Sequence, residues 1–231
     1  MYPAELYEYL SSLTSAHELA WDCGTGNGQA AVGLAAHYDK VTATDPSAEQ
    51  IKHNIPHEKV IYSVERAEAV SIESNTVDLL TVANALHWFN FDEFYKEAKR
   101  VLKQNGIIAA WTYGTLSINP VIDEIIKHFH DEVLGDYWLA ENRLISKSYA
   151  TIPFPFNEID SPAFVCQKTM SLDDVVGYVQ TWSALQRFIV TNGVDPSIEL
   201  RGKLATAWQD ETTKMVTWKL ILKVGRFNGI E

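Results

Sequence analysis

Over the first 113 residues, short apolar runs alternate with amphipathic segments, and this alternation restricts the chain more than any other feature. Strands and helices in repeated succession bury both faces of a sheet when the strands run parallel and the helices cover them. Residues 19–23, 41–44, 60–64, 77–83 and 107–113 read as five strands. The fourth is continuously apolar after Asp78, as a strand enclosed on both sides should be. Residues 29–37, a segment opening near Ser47, and residues 92–102 read as intervening helices; in the last, Phe94, Tyr95, Ala98, Val101 and Leu102 recur at helical spacing. Asn105-Gly106 is a turn signal before the fifth strand.

Beyond residue 113 the alternation stops. Asn119-Pro120 starts a helix, with Asn as cap and Pro in the first turn, and Val121, Ile122, Ile125, Ile126 and Phe129 follow along one face until Gly135. Residues 116–156 are therefore expected to form a helical and aromatic cap inserted after the fifth strand. Residues 163–171 and 214–227 read as two further strands that close the sheet as a hairpin-like pair around two helices. At 231 residues, the expectation is a single α/β domain over 1–231, Rossmann-like, with a seven-stranded, mostly parallel sheet and helices on both faces.

The first strand runs into Asp22-Cys23-Gly24-Thr25-Gly26-Asn27-Gly28. Glycines here permit a sharp turn and let a ligand touch the backbone, while the next helix presents unpaired N–H groups. Many nucleotide binders share that arrangement, and Gly26, Gly28 and Ala31 even fit a dinucleotide fingerprint. Asp22 separates the ligand classes: a carboxylate repels a pyrophosphate but can accept hydrogen bonds from a ligand ammonium. S-adenosylmethionine carries such an ammonium. The second strand ends at Asp45, before Pro46 and Ser47, where an acid can accept from ribose hydroxyls of either ligand class.

The formal charge of −11 and the lack of a basic cluster argue against nucleic acid as a partner. Cys23 and Cys166 have no zinc-ligand spacing and fit a reducing compartment. No segment has the apolar length to span a bilayer, and the start has no basic or apolar leader. A cytoplasmic monomer or weak homodimer acting on a small molecule, with no membrane partner, is the expectation.

Asp22, Gly24, Gly26, Gly28 and Asp45 together resemble the class I methyltransferases, whose first motif is an acid followed by Gly-x-Gly-x-Gly and whose second-strand acid binds ribose. The likeness continues at Ala67-Glu68, where that family contacts adenine, and at Arg100-Val101-Leu102-Lys103 before the fifth strand. Arg66 stands where many relatives have an acid for the adenine amino group, leaving Glu65, Glu68 or a carbonyl to serve. The resemblance implies S-adenosylmethionine as cofactor and S-adenosylhomocysteine as product. It assigns the cofactor to Asp22, Gly24, Thr25, Gly26, Gly28, Gln29, Asp45, Pro46, Ser47, Ala67, Glu68 and Asn84.

Ala85-Leu86-His87-Trp88-Phe89, Trp111-Thr112-Tyr113, Tyr137-Trp138, Tyr149, Pro153-Phe154-Pro155-Phe156 and Thr181-Trp182-Ser183-Ala184 are similar to one branch of that class, the trans-aconitate and cantharidin-type methyltransferases of fungi and their relatives. The implied reaction is O-methylation of a small carboxylic acid. In that branch a further N-terminal segment, ending in a Tyr-Pro like Tyr2-Pro3, helps cover the cofactor.

Methyl transfer is an in-line displacement, so a carboxylate nucleophile needs neither base nor metal. Binding a carboxylate favours Arg and aromatic walls. Trp88, Tyr113, Trp138, Arg143, Tyr149, Trp182 and Arg187 are the substrate candidates. His87, at the mouth of the fourth strand, could act as a base toward a hydroxyl acceptor. The metal-like run Lys127-His128-Phe129-His130-Asp131-Glu132 reads as a solvated helix face, because positions two apart do not share a face. Two other functions keep parts of this reading: an NAD-dependent oxidoreductase, and a module that binds S-adenosylmethionine without catalysis.

Overall fold

The computed structural model describes residues 2–146, 148–209 and 211–229. The chain runs α1 (Ala4–Ser12), β1 (Leu19–Cys23), α2 (Gln29–Leu34), β2 (Lys40–Asp45), α3 (Ala48–Lys52), β3 (Val60–Val64), β4 (Val77–Ala83), α4 (Phe91–Val101), β5 (Leu102–Tyr113), α5 (Pro120–His128), α6 (Asn142–Ser146), β6 (Asn157–Glu158), β7 (Val165–Met170), α7 (Leu172–Gln180), α8 (Ser183–Asn192), α9 (Ser197–Trp208) and β8 (Lys214–Arg226). It divides into two compact units. The first holds residues 2–113, 148–164 and 220–229, the second 114–146 and 165–219 with 210 outside the description.

In the first unit the strands lie in the order β3-β2-β1-β4-β5-β8-β6. The first five are mutually parallel, while β8 runs antiparallel to β5 and β6 antiparallel to β8. This is the mostly parallel, seven-stranded, Rossmann-like sheet that the alternation predicts. Ala20 packs with Leu6, Leu10 and Leu34, whereas its neighbour Trp21 meets Phe94 of α4, ring centroids 6.5 Å apart. Consecutive strand residues point to opposite faces, so helices cover both sides. In β4, Leu79, Leu80 and Val82 are completely buried. Its one acid, Asp78, is 4% exposed because it ties the amino ends of two strands: Oδ2 accepts from the backbone of Glu18 and Leu19 at 2.9 and 3.0 Å, and Oδ1 from Lys103 at 2.9 Å.

Two boundaries differ from the sequence reading. Asn105-Gly106 does not precede the fifth strand but kinks it, since β5 already begins at Leu102 and its pairing with β4 shifts between Val77 and Leu79. Asn105 takes a positive φ of 65°, and the kink is held because its N–H donates to the Phe227 carbonyl and the Phe227 N–H donates to the Gly106 carbonyl. The closing strands also differ. β6 is the seventh strand of the path, and β7 pairs only with the first half of β8, Lys214 to Lys219. A strand of 13 residues is long enough for its two halves to serve different partners, and three helices rather than two lie between β7 and β8.

The second unit contains α5 to α9 and the β7 ladder. Asn119 caps α5 by accepting from the Ile122 N–H at 3.0 Å, with Pro120 in the first turn, as the sequence predicts. The helix passes into a π-turn at Phe129–Val133 and a 3-10 turn at Gly135–Tyr137. Among the described residues no helix is long and apolar enough to cross a membrane.

Candidate functional site

After β1 the chain builds β2 and β3 on one side, then returns to place β4 on the other. The strand order therefore reverses between β1 and β4, and such reversals open a crevice at the carboxyl ends of the strands. The loop after β1, the Asp45 corner after β2 and the Asn84–Trp88 turn after β4 all stand there.

The loop is held by tight packing. Gly28 caps α2 at a φ of 92°, and a Cβ on it would lie 2.1 Å from the hydroxyl of Tyr62 on β3. Tyr62 is itself fixed, donating to the Ile55 carbonyl at 2.7 Å. A Cβ on Gly24 would lie 2.6 Å from that of Ala85. Gly26 is different: an added Cβ would meet only the Gln50 amide oxygen at 3.8 Å, so the loop backbone is open there to a ligand. The Thr25 N–H donates to the Thr44 carbonyl at 2.9 Å, and Gln29 is exposed.

The two acids differ in role. Asp22 is fully buried; its Oδ2 accepts from the Thr25 hydroxyl and its Oδ1 from the Thr81 hydroxyl at 2.8 Å. Burial pushes its carboxyl up to about 6, against the opposing pull of those hydroxyls. The contact with a ligand ammonium that the sequence suggests has no exposed oxygen to make it; Asp22 instead fixes the loop through Thr25. Asp45 is half-buried. Its Oδ2 accepts from the Gly26 N–H and its Oδ1 from the Ser47 N–H, each at 2.9 Å, and each oxygen keeps a second acceptor direction. An acid beside an open backbone suits a ligand with vicinal hydroxyls. Pro46 is exposed, and Ser47 caps α3 by accepting from Gln50 at 3.3 Å.

Ala67 is 5% exposed. Glu68 accepts from the Asn90 N–H at 3.1 Å and from Arg66 at 3.3 Å, and Glu65 accepts from the backbone and hydroxyl of Ser71 at 2.6 and 2.9 Å. Glu65 is thus turned to its own turn, which leaves Glu68 as the acid of the Ala67-Glu68 pair. Asn84 sits at a φ of 57°; its N–H donates to the Trp111 carbonyl at 2.7 Å, and its Oδ1 accepts from the Thr112 hydroxyl at 2.6 Å. His87 follows in a 3-10 turn, 5% exposed, with Nδ1 2.9 Å from the Tyr149 hydroxyl.

The substrate candidates divide between the units. Trp88, Tyr113 and Tyr149 belong to the first. Trp88 is 53% exposed with its ring 4.9 Å from that of His87, and Tyr113 is half-buried at the end of β5. Tyr149 is completely buried, so it stands behind His87 rather than on a wall. Trp138, Arg143, Trp182 and Arg187 belong to the second unit. Trp138 and Trp182 are 5.8 Å apart and both meet the His130 ring. Arg187 donates to the Tyr137 carbonyl at 3.1 Å and to Ser183 at 3.4 Å, which makes it a tie within this unit. The Arg143 side chain lies outside the described residues. In the run 127–132, Asp131 pairs with Lys127 at 3.3 Å and His130 at 2.7 Å; among the described residues no three His, Cys, Asp or Glu side chains gather as a metal site.

Sequence reasoning gave no site role to Tyr62 and Thr81, and it quoted Tyr2 and Thr112 only within family-like motifs. Tyr2 meets Trp111 edge-on at 5.3 Å, and burial, with Tyr113 and Asp22 nearby, raises its phenol above the usual range. Aromatic and hydroxyl residues on strands carry no mark that separates such positions from ordinary core.

A family profile described as a methyltransferase domain matches residues 21–110. A protein of Dictyostelium discoideum, provisionally named a methyltransferase, is 34% identical over 221 residues, 93% of this chain and 84% of its own. An uncharacterized methyltransferase of Schizosaccharomyces pombe is 25% identical over 228 residues, 95% of this chain and 88% of its own. A solved structure from Anaeromyxobacter dehalogenans, provisionally named a type II methyltransferase, superposes with a TM-score of 0.93 at 34% identity, covering 99% of this chain and 98% of that one.

Proposed function

Because this chain belongs to the class I methyltransferase family, we propose that it binds S-adenosylmethionine at the carboxyl ends of β1, β2 and β4 and methylates an oxygen of a small organic acid. The observation that carries the cofactor half is the Asp45 carboxylate beside the open backbone of Gly26. In this reading Asp45 accepts from the ribose, Ala67 and Glu68 border the adenine, and Asn84 with the glycine loop holds the methionine part, Asp22 acting through Thr25. Dinucleotide binding is disfavoured because the loop is flanked by two carboxylates, Asp22 and Asp45, whose charge opposes a pyrophosphate.

The methyl donor supplies an electrophilic carbon on a sulfonium; the protein aligns the acceptor with it and keeps water out. The likeness to the trans-aconitate and cantharidin-type branch points to a carboxylate as that acceptor. A hydroxyl is the second reading, and the buried His87–Tyr149 contact favours it.

Two measurements test the proposal. Calorimetry with S-adenosylhomocysteine and with NAD separates the cofactors, and tight NAD binding with no response to S-adenosylhomocysteine would sink the methyltransferase reading. Incubation with labelled S-adenosylmethionine and a panel of mono-, di- and tricarboxylic acids and hydroxy acids identifies the acceptor. Cofactor binding without transfer to any of them would favour a catalytically silent module.

A further inference from the structure

The first unit ends in an open sheet edge. β3 is outermost in the strand order, with β2 on one side and, among the described residues, no strand on the other. Its register with β2 decides which backbone groups face outward. The Val41 N–H donates to the Lys59 carbonyl at 2.8 Å and the Glu65 N–H to the Asp45 carbonyl at 3.1 Å, while Val41 pairs with Val60 and Asp45 with Val64. Odd-numbered residues of the segment therefore bond to β2. The N–H and C=O groups of Tyr62 and Val64 point to the free edge.

Free edges invite pairing, and proteins blunt them with charge, proline, bulges or short length. The other edges are blunted in this way: β6 has only two residues, and β7 exposes Gln167 and Lys168. β3 reads Val60-Ile61-Tyr62-Ser63-Val64, without charge, proline or glycine, and Ile61 and Val64 are 52% and 51% exposed. Charges stand only at its two ends. Lys59 is turned inward, donating to the Ala35 and Tyr38 carbonyls at 3.2 Å each, and Glu65 is held by Ser71. Outward are Glu58, exposed in the turn that enters the strand, and Arg66, its side chain 76% exposed although Nε reaches Glu68 at 3.3 Å. An acid at one end and a base at the other make the edge complementary to its own reversed copy.

We propose that β3 is the interface for a second copy of this chain, the two strands pairing antiparallel about a two-fold axis at Tyr62. Such an interface presents the same patch from both copies. Tyr62 then faces Tyr62 of the other copy, Val60 faces Val64, Ile61 faces Ser63, and Glu58 comes beside Arg66. Centring the axis on Ile61 sets Val64 against Glu58 of the other copy, and centring it on Ser63 sets Ile61 against Glu65 and Val60 against Arg66. Of the three registers, only the one at Tyr62 joins acid to base and keeps charge off the apolar residues. The two sheets then continue as one. The proposal goes beyond methyl transfer and does not depend on the acceptor.

Sedimentation equilibrium of the full chain over a wide concentration range tests it. Wild type should show a monomer–dimer equilibrium. Val64→Lys, a charge set into the ladder at an exposed position, should weaken the dimer by roughly tenfold or more. Glu58→Arg and Arg66→Glu should each weaken it by roughly threefold or more, and the double variant, which exchanges the pair, should restore it. Cross-linking reads the register. In a Cys166→Ser background, with Cys23 buried, Ile61→Cys combined with Ser63→Cys should form an intermolecular disulfide on mild oxidation, and neither substitution should do so alone. A monomer at every concentration, a dimer that Val64→Lys leaves intact, or a double charge variant no better than the singles overturns the interface. Cross-linking through one substituted position alone, or none in the pair, overturns the register at Tyr62. If Val64→Lys fails to fold, the charge exchange decides.

Discussion

The carboxylate of Asp45 accepts a hydrogen bond from the backbone N–H of Gly26 at 2.9 Å, so the acid proposed to serve a ribose also sets the shape of the loop after β1. Binding and loop geometry are therefore coupled in one side chain. Asp45→Ala removes both roles. Hydrogen bonds to charged groups are worth about 1.5–3 kcal/mol, which predicts a 10- to 100-fold loss of S-adenosylhomocysteine affinity. Calorimetry checks this, and unaltered affinity in a folded variant would remove Asp45 from the site.

Gly28 and Tyr62 should behave as a coupled pair. Gly28→Ala forces a side chain onto a φ of 92° and against the Tyr62 hydroxyl, and Tyr62 can yield only by giving up its bond to Ile55. A loss of about 2–4 kcal/mol in urea unfolding is expected from backbone strain plus overpacking. Adding Tyr62→Ala to Gly28→Ala removes the collision but not the strained φ, so the double variant should lose about 1 kcal/mol or more less than the sum of the singles. Additive losses would show that the two side chains do not meet.

The buried Asp22 carboxyl gives a pH dependence with a definite sign. Its folded value is raised to about 6 from the ordinary 3.8, so the folded state binds the proton more tightly than the unfolded state. The stability this confers is fully present below about 3.8 and is lost as pH rises through about 6. Asp22→Asn abolishes that titration. Wild type should therefore gain stability relative to Asp22→Asn between pH 7.5 and pH 4.5, by a few kcal/mol at most. Chemical denaturation at the two values measures it, and a pH-independent difference would mean that Asp22 does not titrate in this range.

Asp78 offers the opposite contrast, since it lies at the amino end of β4, away from the carboxyl-end crevice. Asp78→Ala leaves Lys103 with Glu18 alone and leaves the backbone N–H groups of Glu18 and Leu19 without their acceptor. A destabilisation of about 2–4 kcal/mol follows from unsatisfied buried groups. Affinity for S-adenosylhomocysteine in the folded protein should change less than twofold; a larger change by calorimetry would show that the ends of the strand are coupled.

What the sequence determined by itself was local or periodic. The parallel sheet followed from apolar runs separated by helical stretches, the α5 start from Asn119-Pro120, the α3 start near Ser47, and the glycine loop from the spacing of Gly24, Gly26 and Gly28. Each depends on neighbours within a few positions, where backbone sterics and hydrogen-bond satisfaction act directly. Tertiary structure alone decided where side chains turned. It buried Asp22 between Thr25 and Thr81, tied Arg187 to Tyr137, split β8 between β7 on its first half and β5 with β6 on its second, and joined His87 to Tyr149 across 62 positions. Such contacts arise because a buried polar group must find whichever partner the fold brings near, and no periodicity along the chain records which one that is.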